Sequence, residues 1–91
     1  MNSTRNEVYH AIDTERDYQD KKWNVDTTIS KNEHETWEEW LVYINDYVQE
    51  AMHVASRLPR QDGNPIIADN VRKVAALCVA AMENIGAVDR K

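Results

Sequence analysis

Asp46 and Glu50 stand four residues apart in the run Glu38-Glu39-Trp40-Leu41-Val42-Tyr43-Ile44-Asn45-Asp46-Tyr47-Val48-Gln49-Glu50-Ala51. On a helix that spacing stacks two carboxylates on one face, where they can hold a divalent cation between them. Pairing with lysine or arginine at a subunit interface, or a solvated helix edge, reads equally well from the same spacing. A second group is cationic: Arg57, Arg60, Arg72 and Lys73 fall near the start of the last helical segment, where a small polyanion such as a nucleotide finds positive charge. Lys22 and Trp23 set a phosphate-seeking cation beside a ring whose face stacks on any base, although Trp23 also suits a helix-end core position. His10, His34 and His53 share no ligand spacing, and Cys78 lies in an apolar run as an inert packing residue.

Three helices must position these groups. Thr4-Arg5-Asn6-Glu7 has the capping-box form, so the first helix is expected over 4–23, starting at Ser3 or Thr4. Its stripe of Val8, Ala11, Ile12, Glu15, Gln19 and Trp23 turns from apolar to polar, as in a helix lining a site. Residues 24–35 show no period and read as a polar loop. A second capping box, Thr36-Trp37-Glu38-Glu39, opens a helix over 36–58 whose Trp37, Leu41, Ile44, Val48, Ala51, Ala55 and Leu58 step by three or four. A further stripe of Trp40, Tyr47 and Val54 gives this helix two apolar faces, one for its own subunit and one for another; Trp37 and Trp40 read as packing anchors. Leu58-Pro59 closes it, and Asp62-Gly63-Asn64-Pro65 carries turn chemistry. The last helix, 66–85, has a core stripe of Val71, Val74, Ala75, Cys78, Ala81, Met82 and Ile85 and ends at Gly86. Ala76 and Ala80 on it suit close helix pairing between subunits, and 87–91 form a charged tail.

The expected architecture is all-α: a single domain over 1–91, a small bundle of three or four helices. A chain of 91 residues buries a modest core, and one cysteine with no zinc-spaced cluster supplies no internal staple, so homo-oligomerisation as a dimer or tetramer is the expected source of further burial. A net charge of -5 argues against general nucleic-acid binding. No signal-peptide core and no long apolar run are present, so a cytoplasmic protein without a membrane segment is expected.

Two regions resemble the all-α nucleoside triphosphate pyrophosphohydrolases of the MazG type, in particular short phage members. Glu15-Arg16-Asp17-Tyr18-Gln19-Asp20-Lys21-Lys22-Trp23 is similar to the family pattern E-R-x-x-Q-x-x-K-W. Trp40–Ala51 and Asn70–Ala76 are similar to W-L-x-I-L-x-E-E-x-G-E-A and E-L-x-Q-V-A-A, and the likeness spans roughly residues 11–85. It implies a MazG-like bundle in which acids on the second and third helices hold Mg2+ against a triphosphate. The chain departs from the pattern at the acids: Asp46 and Glu50 remain, Tyr47 replaces the second acid, Asn70 stands for the later one, and Lys73 replaces an Asp or Gln.

Lys73 can supply a metal's charge but not a metal-bound hydroxide. The expectation is therefore a degenerate member, encoded by a phage and acting in the bacterial host cytoplasm. It binds a nucleotide, a nucleotide-derived signal or a host protein without efficient catalysis. Its ligand-facing residues are Lys22, Trp23, Tyr47, Asn70, Arg72 and Lys73, with Asp46 and Glu50 the ligands for any metal. An active metal-dependent enzyme releasing a nucleoside monophosphate and pyrophosphate is the alternative, and a structural helical oligomer a third.

Overall fold

The computed structural model of the chain describes residues 2–25, 36–57 and 65–91, the side chains of 23–25 excepted. The loop expected over 24–35 is corrected at its start, since Asn24 and Val25 belong to the first helix; its remainder, the helix closure at Leu58-Pro59, the turn at Asp62–Asn64, and the side chains of Trp23, His34 and Arg60 lie outside the described residues. Three helices and no strand occur among the described residues: α1 (Arg5–Val25), α2 (Trp37–Arg57) and α3 (Pro65–Ile85).

Local sequence accounts for the helix ends. Thr4 caps α1 by accepting from the Glu7 amide through its hydroxyl at 3.2 Å, while Glu7 Oε1 accepts from the Thr4 amide at 3.1 Å. Thr36 and Glu39 repeat the exchange at the start of α2, at 3.2 and 3.3 Å. Each box satisfies donors that the first turn leaves without intrahelical acceptors. α3 begins on Pro65, whose missing N–H is no loss at the first helical position. It stops at Gly86, where φ is +142° and the amide still donates to the Met82 carbonyl at 2.8 Å. A side chain there would meet no neighbouring atom, so the requirement for glycine is conformational.

α3 is the central element. α1 and α2 each pack along it, while the backbones of α1 and α2 do not approach one another. The Ala-rich run of α3 makes this sharing workable, because small side chains admit a helix on each side. Its Ala76, Leu77, Ala80 and Ala81 are buried, with Trp40 of α2 closing the core and Ile44 and Ile85 packed against it. The Trp40 indole N–H also donates to Asn84 Oδ1 at 3.0 Å, and the Tyr43 ring meets the indole edge-on.

Two expectations change here. Ala76 and Ala80, read as a surface for a second subunit, are covered by helices of the same chain. Trp37, read with Trp40 as a packing anchor, is 43% exposed, and Leu41 of the same stripe is 59% exposed. One chain offers α2 a single partner helix, so one flank of a broad apolar surface is left over.

Candidate functional site

The two buried polar side chains of the described residues are both on α1: Glu15, 8% exposed, and Gln19, 6% exposed. Four residues apart, they share the face that packs on α3. Glu15 accepts from Arg72 Nε at 2.8 Å, and Arg72 also reaches Asp69 one turn earlier on α3. Asp69 in turn pairs with Lys73 Nζ at 3.3 Å. Gln19 Nε2 donates to the Lys73 carbonyl at 3.3 Å, while its Oε1 is buried without a hydrogen-bond partner. The seam between α1 and α3 thus holds Arg72 and Lys73 side by side, each steadied by a carboxylate and each still partly open to solvent.

The bond from Gln19 to Lys73 fixes the level of α1 against α3. Lys22, three residues further and about 4.5 Å along the axis, comes level with the first turns of α3 and is exposed. On the other side, the Trp40–Asn84 bond sets α2 antiparallel to α3, which brings Arg57, in the last turn of α2, to the same end. α3 has no acid in its first turn. Lys22, Arg72 and Lys73 therefore lie toward the end of the bundle where α3 begins, beside the positive end of its dipole, whereas Arg57, thirteen residues beyond Ile44 and about 220° round α2, turns away from α3 as Asp46 does.

Asn70 belongs to this end as well, but its Nδ2 donates to the Ile66 carbonyl at 3.0 Å. Tyr47 is 40% exposed on α2. Asp46 and Glu50 are exposed and line an open depression of about 440 Å³ with Gln49, Met52 and His53 of the same helix. They form no ion pair with Lys73, which Asp69 holds instead. The reason is rotation: Asp46 lies two residues beyond Ile44, about 200° round the helix from the side that packs on α3.

This arrangement answers whether one chain offers Mg2+ the cradle that the resemblance implies. Magnesium takes hard oxygen ligands in near-octahedral geometry. Beyond Asp46 and Glu50, the corresponding positions supply a phenol, an amide already bonded to backbone, and an ammonium. That donor set does not fit, and no group of three His, Cys, Asp or Glu side chains converges among the described residues.

Sequence reading placed Glu15 and Gln19 on the α1 stripe without naming them as site residues. Their signal was present, since an acid and an amide in phase with Ala11 and Ile12 must be buried. Arg16 carried no comparable signal. It bonds Glu83 Oε1 at 2.7 Å and, with Trp40, Ala80, Glu83 and Asn84, lines a depression of about 300 Å³.

No family model, no curated protein and no solved structure matches the chain. No helix among the described residues is long and apolar enough to cross a membrane.

Proposed function

We propose that this chain is a degenerate MazG-like protein that binds a nucleotide or nucleotide-derived signal, as a homo-oligomer in the cytoplasm, without efficient catalysis. The observation that carries the reading is the pair Arg72 and Lys73, held side by side on the seam between α1 and α3 by Glu15 and Asp69, with Lys22 in the last turn of α1, in a chain that is acidic overall. Phosphates bind there, with Arg72 and Lys73 as charge-assisted donors and Lys22 raising the local potential. Trp23, next to Lys22, provides the ring on which a base stacks. Asp69 and Glu15 hold the two α3 cations in place, so that phosphate meets ordered donors and not free side chains.

Lys73, standing where the resembled pattern has an Asp or Gln, neutralises phosphate directly. The chain thereby forgoes the route by which a metal makes hydroxide, and binding should need no divalent ion. The test is calorimetric titration of nucleoside triphosphates into the protein with chelator present. Binding is expected for the native chain, with loss of at least tenfold in affinity for Lys73→Glu and a smaller loss for Lys22→Ala. Affinity untouched by Lys73→Glu would sink this assignment and move weight to capture of a host protein.

A further inference from the structure

The two partners of α3 are attached to it by different means. With α2 it shares an apolar cluster of Trp40, Leu77, Ala80 and Ala81, and Ile44 and Ile85 pack against it. α1 has no buried apolar side chain among the described residues; the two side chains that it buries are Glu15 and Gln19. The apolar residues in phase with them, Ala11 and Ile12, are only half-buried. What fastens α1 to α3 is polar. Glu15 accepts from Arg72 at 2.8 Å, Arg16 donates to Glu83 at 2.7 Å, and Gln19 Nε2 donates to the Lys73 carbonyl at 3.3 Å. The side chains of Glu83 and Arg72 are 54% and 37% exposed, so water and salt compete for both ion pairs.

We propose that α1 is a releasable arm: it undocks from α3 as a unit while α2 and α3 stay packed, and a phosphate held by Lys22, Arg72 and Lys73 locks it down. Undocking uncovers little apolar surface. On α3 it bares Ala76, in phase with Arg72 and Glu83 and no larger than a methyl group, whereas the cluster around Trp40 and Leu77 keeps its α2 partner. It also lets water reach the Gln19 Oε1, which is buried without a donor while α1 is docked. Openings of this kind precede global unfolding where apolar contacts are few. The lock has a separate cause. Lys22 belongs to α1 while Arg72 and Lys73 belong to α3, so a phosphate held by both helices exists only in the docked state and shifts the equilibrium toward it. The arm rests on packing alone; the lock rests on the phosphate-binding reading above.

Amide hydrogen exchange of the full chain at fixed pH tests both parts, read as the rate over residues 12–20 of α1 relative to residues 74–81 of α3. The native chain is expected to exchange faster over 12–20, and molar NaCl should widen the ratio about fivefold. Glu83→Gln, at an exposed carboxylate, should widen it in the same sense with helical circular dichroism retained, and Arg72→Gln should widen it further. Equal exchange over the two spans in every condition, or a ratio that NaCl, Glu83→Gln and Arg72→Gln all leave unchanged, overturns the arm. Inorganic pyrophosphate should act against the trend, slowing 12–20 about threefold relative to NaCl of matched ionic strength, because an anion that only screens the pairs speeds exchange. Pyrophosphate that calorimetry shows bound, but that leaves 12–20 exchanging as in matched NaCl, overturns the lock. Pyrophosphate that does not bind overturns the phosphate reading and the lock together and leaves the arm standing.

Discussion

At the residue scale, Gln19 shows most clearly a side chain kept at some cost to the fold. Its buried Oε1 lacks a partner, and the bond from Nε2 goes to a carbonyl at 3.3 Å. A buried acceptor without a donor costs roughly 1–3 kcal/mol. Gln19→Leu should therefore raise stability, by about 1 kcal/mol in urea unfolding, while weakening nucleotide binding through loss of the bond that sets Lys73 against α1. Stability that falls instead would mean that Gln19 is purely a packing residue. Glu15 behaves in the opposite way. It is the buried partner of Arg72, and Glu15→Ala should lower stability by about 1–2 kcal/mol, because Arg72 keeps Asp69 as a second acceptor and part of its solvation.

At the element scale, helix starts are set by side chains that can be removed one at a time. Thr36→Ala should cost about 1 kcal/mol, read as a lower urea midpoint, since it strips a donor and an acceptor from the cap of α2. The cap of α1 has a pH signature. The Thr4 backbone amide, and after it the Thr4 hydroxyl, hold the Glu7 carboxyl below its ordinary pKa. The folded value thus lies below the unfolded one, so the cap's contribution is full above the ordinary carboxylate range and is lost as pH falls through the lowered value. The Thr4 amide resonance should follow that titration, and Glu7→Gln should flatten it.

These helix starts were legible in the sequence because a capping box is a local exchange between residues three apart. The helices found, Arg5–Val25, Trp37–Arg57 and Pro65–Ile85, lie beside expected spans of 4–23, 36–58 and 66–85. What periodicity left open was which stripe meets which. Trp40 and Trp37 look alike in the text, yet one donates to Asn84 in the core and the other stays half-exposed. Likewise, Asp46 and Lys73 look like neighbours only while the rotation of α2 is unknown.

At the scale of the whole molecule, α3 is shared by two helices that do not meet, and this leaves a charged end and an apolar outer face. The first is the proposed ligand site. The cations that matter come from α1 and α3, so the charged seam exists only in the assembled fold, and a net charge of -5 conceals it. Nucleotide binding should accordingly weaken as salt rises, because the attraction is among partly exposed charges. The central claim is that phosphate recognition here replaces metal chemistry. It is tested most directly by measuring nucleoside triphosphate binding and pyrophosphate release in parallel, with chelator and with millimolar Mg2+. Binding of similar strength in both conditions with no pyrophosphate released is the predicted result; binding only with Mg2+, accompanied by repeated turnover to pyrophosphate, would contradict it.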